Sequence, residues 1–514
     1  MVVFSGERST GIDAIFQFTG SGVQLFSGAL FYLIIVRLFQ TGTVGAIAFF
    51  LAIVGLFTVV FSFGLGTAAQ HFIAYHIGIK DYDAAKRTIY KILIIGTILA
   101  GIGTLTLILL SDEVSAIFLH SSQYSGLVRL LSIDLFGNLL FGLFNGSLLG
   151  LQNFRKSALI NSIIWGVYYF SAIGLALYLR DLESIVIGWI IGISLGVLLE
   201  FIVVMKFLGK YTARAKTSGT RTNMIMLYSF PVLLSSLIGY GASYADRFIV
   251  TGLLSLSALG VYNFALLAAS SVGFIAVPFN NILLPKFSHL FATGKRTEIR
   301  DHVIASSLLL SALYVPAALG IAALSPEIIY LLAGSSYTAG ALPLAIIMVF
   351  SAVFVTQNIY TQAVASVRKT YLFVFGSIAA LSTNIVISIL LIPRYGLFGA
   401  SLGFSSVYAA NFAAMGFFAF REKVGGADLI GLAKIWIAAA IMFAVVWLFS
   451  EALTKFVGFS EYFFVLYIAL GFLVYSFVAR YIKIFNREDH DLVISMFPEK
   501  YSRIRKLITV VMLH

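Results

Sequence analysis

Residues 43–66 read TVGAIAFFLAIVGLFTVVFSFGLG, an unbroken run with no charged side chain. Coiled as a helix at ~1.5 Å per residue, such a run crosses the ~30 Å of hydrocarbon in a bilayer. Beyond it the chain turns basic at Lys80, Lys86, Arg87 and Lys91. Working outward, the same alternation of apolar run and polar loop predicts fourteen spans, at 12–38, 43–66, 88–110, 124–149, 158–179, 184–205, 226–251, 258–284, 303–323, 339–364, 371–392, 397–420, 432–450 and 462–481. With the N-terminus placed inside, 28 of the 34 Lys and Arg fall on inner loops and tails. Arg37, Arg129, Arg180, Arg394 and Lys455 fall on outer faces or helix ends, and Arg247 falls within a span. This positive-inside asymmetry predicts a multi-pass cell-membrane protein with cytoplasmic N- and C-termini.

Composition agrees. With 60% apolar and 11% charged residues, the chain could not cover a soluble globule, and 15% aromatic residues suit belts at the two membrane interfaces. The net charge of +12 sits on the inner loops, where anionic membrane lipids attract it, so no nucleic-acid partner is called for. Met1 to Thr10 carries no short apolar core, and no cleavable signal is expected. The absence of cysteine excludes disulfides and thiolate metal sites. There is no GxxxxGK[ST], HExxH or DxD motif, so neither an enzyme nor a metal or cofactor site is predicted.

The chain also repeats itself. Gly45, Phe49, Leu51, Phe72 and Lys80 match Gly260, Phe264, Leu266, Phe287 and Lys295 at a shift of 215 residues, and Arg155-Lys156 recurs as Arg368-Lys369. A shift of six spans preserves orientation, which predicts an all-α membrane protein of two pseudo-symmetric six-helix bundles followed by two extra helices. The expected organisation is an N-terminal bundle at 1–205, a basic cytoplasmic linker at 206–225, a second bundle at 226–420, extra spans within 421–484, and an interfacial amphipathic tail at 485–514. All eight prolines lie in the second half, and Pro231, Pro278, Pro316 and Pro343 within spans predict kinks there. The spacing of Gly142, Gly146 and Gly150 permits close helix approach.

Charged groups inside spans are costly, so they are the candidate functional residues. Asp134 lies near the middle of the fourth span, with Arg129 five residues before it. It reads either as an ion-coupling acid or as one half of a structural ion pair. Arg37, Arg129 and Arg247 together could offer guanidinium groups to a phosphate in a central cavity, or each could snorkel to outer headgroups. Asp246 balances Arg247 or pairs with another helix, and is a second candidate for ion coupling. His71, His76 and Lys286, near inner helix ends, are candidates for contacting a headgroup on entry or for interfacial anchoring.

Several stretches are similar to a known family. Ile34-Ile-Val-Arg-Leu-Phe to Thr43-Val-Gly45, and Phe63-Gly-Leu-Gly-Thr-Ala-Ala-Gln70, resemble the opening spans of Wzx-type polysaccharide flippases of the multidrug/oligosaccharidyl-lipid/polysaccharide exporter superfamily. Asp246-Arg-Phe-Ile-Val, Ala258-Leu-Gly-Val-Tyr262, Leu284-Pro-Lys-Phe-Ser288 and Ile392-Pro-Arg-Tyr-Gly-Leu-Phe-Gly-Ala400 extend the resemblance over nearly the whole chain. It implies alternating-access translocation of a polyprenyl (undecaprenyl or dolichyl) phosphate- or diphosphate-linked oligosaccharide, with cavity cations at Arg37, Arg129 and Arg247. Glycan-assembly enzymes are candidate partners. Asp134 departs from the family pattern and leaves Na+ or H+ coupling open. Two rivals remain: an ion-coupled multidrug exporter of the same superfamily, favoured by Asp134, and a membrane glycosyltransferase or polysaccharide polymerase, disfavoured by short outer loops.

Overall fold

The computed structural model describes residues 8–210, 219–369, 371–457 and 463–484. The tail at 485–514 and the middle of the linker, 211–218, lie outside the described residues. Among the described residues every regular element is helical. The first series is α1 (Arg8–Leu38), α2 (Thr41–Ser62), α3 (Leu65–Gly78), α4 (Tyr82–Leu109), α5 (Ser111–Phe118), α6 (Ser125–Gly150), α7 (Phe154–Leu179) and α8 (Leu182–Lys210). The second is α9 (Thr222–Leu253), α10 (Leu256–Ser270), α11 (Val277–Ala292), α12 (Arg296–Ala323), α13 (Ser325–Ala333), α14 (Ala341–Ser351), α15 (Phe354–Ser366), α16 (Leu372–Tyr395) and α17 (Leu397–Arg421). Two further helices, α18 (Leu429–Val457) and α19 (Phe463–Tyr481), follow.

The two series correspond element by element. Arg8 and Leu38, the bounds of α1, correspond to Thr222 and Leu253 of α9. Tyr82 and Leu109 of α4 become Arg296 and Ala323 of α12, and the short α5 recurs as α13. The single helix α6 corresponds to the pair α14 and α15, Ser125 matching Ala341 and Gly150 matching Ser366. Even the side-chain packing recurs: Gly188 of α8 abuts Ala172 of α7, and Gly403 of α17 abuts Ser388 of α16.

Twelve of the described helices are each long and apolar enough to cross a membrane, and Ser335–Ser366 makes a thirteenth if its bent halves count as one span. The first predicted span lies on α1, whose apolar part is Gly22–Leu38. Three spans differ in detail from the hydropathy reading. The run at 43–66 stops at Ser62, because Phe63 and Gly64 both take left-handed backbone, with φ of 50° and 68°. Hydropathy continues across that turn, but helical backbone does not. The span at 258–284 divides at the 3-10 turn Ser271–Ala276, and the span at 339–364 bends by 42° between Ser351 and Phe354. Pro278 and Pro343 do not sit at those breaks. They are the second and third residues of α11 and α14, where a missing N–H costs nothing, so neither breaks a helix interior.

By internal packing the chain divides into two compact units, Met1–Gly260 and Val261–His514. In the first, α8 packs on α7 and α6, α1 packs on α7, and α9 packs on α2 and α3. Gly188, Gly192 and Gly196 run down α8 against Ala172, Tyr168 and Ile164 of α7. Gly146 of α6 meets Gly66 of α3, and Gly150 meets Ala69, so the small-residue spacing does bring two backbones together. In the second unit α17 packs on α14, α15 and α16, and α12 packs on α18.

Candidate functional site

The interior of α6, α7 and α8 contains two fully buried carboxylates. Asp134 and Asn138 lie one turn apart on α6, and Asn145, eleven residues from Asp134, returns to the same face. Asp134 Oδ2 accepts from Asn138 Nδ2 at 3.1 Å and lies 3.5 Å from the Tyr168 hydroxyl, while Oδ1 has no partner. Tyr168 stacks on the buried Trp189 of α8, ring planes 6° apart, and Phe31, Trp165 and Tyr169 surround that pair. The second carboxylate, Glu200 of α8, accepts from Asn145 Nδ2 at 2.7 Å.

Glu200 was missed by the sequence reading, although it stands inside the predicted span 184–205 and the cost of an in-span charge was signal enough to find it. Arg129 does not pair with Asp134. Its guanidinium grips both oxygens of Asp112 at 3.0 Å and the Ser111 hydroxyl, on α5, and is exposed. The five residues between Arg129 and Asp134 carry the arginine beyond the apolar interior, to the helix end where α5 begins.

Arg247 lies on α9 with its side chain 12% exposed. It covers the Tyr244 ring at 4.3 Å, reaches Ser243 O and lies 3.7 Å from the buried Asp246. Tyr244 stacks on Tyr240 at 4.5 Å, and the Tyr240 hydroxyl donates to Ala52 O on α2, so this arginine is held on a braced aromatic face. Arg37 is exposed at the end of α1.

His71 is exposed and stacks on Tyr228 of α9 at 4.7 Å. His76 engages the chain just before α9: its Nε2 lies 2.8 Å from Thr220 Oγ1. The Thr220 backbone N–H donates to Thr88 Oγ1, and Lys91 Nζ donates to Thr220 O. Burial pushes the His76 imidazole below its ordinary range, against the opposing pull of Asp81. Lys286 is half-buried on α11, in the other unit. The structure thus groups Arg247 with Asp246, brings His76 to the end of the linker, and separates Asp134 from Arg129. Among the described residues no cluster of three or more His, Cys, Asp or Glu side chains could hold a metal ion.

These features define a multi-pass all-α membrane protein with a repeated bundle and buried charges, and known structures share the fold. An inward closed structure of the lipid II flippase MurJ superposes with a TM-score of 0.71 at 17% identity, over 91% of this chain and 98% of that one. An inward-facing multidrug resistance transporter of the MATE family, in the MOP superfamily, gives 0.63 at 16% identity, over 78% and 94%. A MOP-superfamily transporter from Pyrococcus furiosus gives 0.56 at 15% identity, over 80% and 94%. The fold is that of the exporter superfamily which the sequence resembles.

Within that class, the chain belongs to the polysaccharide biosynthesis protein family, whose model matches residues 34–342. An uncharacterized membrane protein of Methanocaldococcus jannaschii is 25% identical over 380 residues, 69% of this chain and 74% of that protein. A probable low-salt glycan biosynthesis flippase of Haloferax volcanii is 24% identical over 201 residues, 39% of this chain and 42% of that protein.

Proposed function

We propose that the protein is a flippase that moves a polyprenyl phosphate- or diphosphate-linked oligosaccharide from the cytoplasmic to the outer leaflet by alternating access. The observation that carries this reading is membership of the polysaccharide biosynthesis family on an exporter fold. A charged headgroup with its sugars cannot enter hydrocarbon unaided, and a transporter lowers that cost by offering polar and cationic partners along the way. Arg247, held by Tyr244 and Asp246, is the best supported of the candidate phosphate contacts, because its guanidinium is already positioned. Arg37 and Arg129 are exposed, and in this reading they meet the headgroup from outside the apolar interior. The basic loops face the cytoplasm, and α18 and α19 are additions to the repeat.

The test is reconstitution in liposomes with a fluorescent polyprenyl-phosphate-linked sugar, measuring the protein-dependent fraction that becomes accessible to an external quencher. Translocation that is lost in Arg247→Ala while the variant still inserts would support the reading. Absence of translocation with every such lipid would remove it. A second reading, an ion-coupled multidrug exporter, is favoured by the buried Asp134; efflux of organic cations abolished by Asp134→Asn would support it instead.

A further inference from the structure

Glu200 is fully buried, yet no ion pair reaches it among the described residues. Its Oε1 is held by Asn145 Nδ2 at 2.7 Å, and its Oε2 has no hydrogen-bond partner. The same Asn145 amide donates to Ser157 Oγ at 3.2 Å, and Asn161 Nδ2 donates to Ser157 O and Oγ at 2.9 and 3.3 Å. Three helices therefore converge on one polar centre: Glu200 from α8, Asn145 from α6, and Ser157 with Asn161 from α7. The surroundings are apolar, with Phe144 and Phe201 packed edge to face and Gly196, one turn before Glu200, against Ile164.

A carboxylate shut away from water needs a compensating positive charge. The side chains around Glu200 supply dipoles but no cation. They do supply oxygen: the free carboxylate oxygen, a hydroxyl and two amide carbonyls. Turning the Asn145 amide about its terminal bond would exchange a donor for an acceptor at the Glu200 carboxylate. One negative charge among neutral oxygen donors is neutralised by a single positive charge, whereas a divalent ion would leave an excess charge in an apolar interior. We infer that Glu200, with Asn145, Ser157 and Asn161, forms a site for a small monovalent cation, Na+ or H+.

The site is separate from Asp134. Asn145 lies eleven residues along α6 from Asp134, about 16 Å at 1.5 Å per residue. The pocket lies near the end of α7 that follows Arg155 and Lys156, so on the proposed topology a cation enters it from the cytoplasmic side. That it drives transport rests on the flippase reading; that it binds a cation does not.

The experiment measures the cation without any glycan lipid. Purified protein in lipid nanodiscs is titrated with NaCl against choline chloride, following thermal unfolding and, in weak buffer, proton release or uptake. Wild type is expected to show Na+-specific stabilisation or carboxyl protonation visible as an infrared band. In Glu200→Gln, which keeps the shape and a hydrogen-bonding head, the half-saturating Na+ concentration rises by about tenfold or more, equivalent to about 1.4 kcal/mol, or the carboxyl band disappears. Loss of Na+ stabilisation identifies Na+ as the occupant, and loss of the band alone identifies H+. Glu200→Asp, retaining the charge on a shorter arm, should bind with weakened affinity and shows that the centre still folds. Identical Na+ titrations and identical carboxyl bands in wild type and Glu200→Gln would overturn the site. Glycan-lipid flipping, assayed separately, can fail or succeed without affecting either result.

Discussion

Gly45 and Gly260 match across the repeat, and they meet. A methyl carbon added at Gly45 would lie 1.7 Å from Leu256 O, 2.6 Å from Leu256 C and 3.0 Å from Gly260 N. One added at Gly260 would lie 2.1 Å from Thr41 O and 2.9 Å from Gly45 N. Thr41 and Leu256 are themselves repeat partners, the first residues of α2 and α10, so the crossing is reciprocal, as at a twofold axis. Carbon-to-carbonyl approaches at helix crossings are about 3.3 Å, so Gly45→Ala must push the two backbones apart by about 1.6 Å. Overpacking of this kind costs ~1–3 kcal/mol, and the upper end applies here because the obstacle is main chain, which has no rotamer to escape into. About 3 kcal/mol corresponds to roughly a hundredfold loss of the closed crossing. Gly260→Ala should cost a similar amount, and the double variant less than the sum, since one separation relieves both clashes. The assay uses the absence of native cysteine: the pair Gly42→Cys and Ser257→Cys reports the crossing, because a Cβ at Gly42 lies 3.2 Å from Ser257 Oγ. Oxidation in liposomes should form the disulfide rapidly, and adding Gly45→Ala should slow it by more than tenfold. Unchanged disulfide formation with unchanged thermal stability would refute the reasoning.

Three further outcomes follow from particular contacts. His76 is held below its ordinary pKa of 6.5 by burial, so its contribution to holding Thr220 is full above about pH 6.5 and is lost as pH falls through the lowered folded value; hydrogen exchange at the Thr220 N–H, corrected for intrinsic rate, should show falling protection on acidification, and His76→Gln should remove that pH dependence. Arg129→Ala should change thermal stability by no more than about 1 kcal/mol, because its pairing with Asp112 is exposed on both sides; a larger loss in a thermal melt would show that the pair holds α5 in place. Gly192→Val would set a side chain 2.3 Å from Tyr168 Cα, so it should destabilise the α7–α8 contact by more than about 2 kcal/mol and shift tryptophan emission as the Trp189 stack opens; a wild-type melt and spectrum would contradict the tight packing described.

The positions of the spans and the repeat were legible in the sequence because a bilayer imposes a one-dimensional rule, that a helix needs enough apolar residues to cross it. The run at 43–66, its basic successor and the matches from Gly45 to Gly260 carry that rule on their face. The same rule flags every in-span charge, Glu200 as much as Asp134, without saying what faces it. Arg129 and Asp134 are five residues apart and look like a pair, but one turns to Asp112 and the other to Asn138 and Tyr168. The left-handed turn at Phe63-Gly64 and the bend after Ser351 are likewise invisible to hydropathy, since both sides of each break are equally apolar. What the sequence determined by itself is the membrane class, the repeat and the family. Tertiary structure decided which charge meets which partner and which glycines touch, because those depend on which helices stand side by side, and neighbours in a bundle are set by packing among segments far apart in the chain.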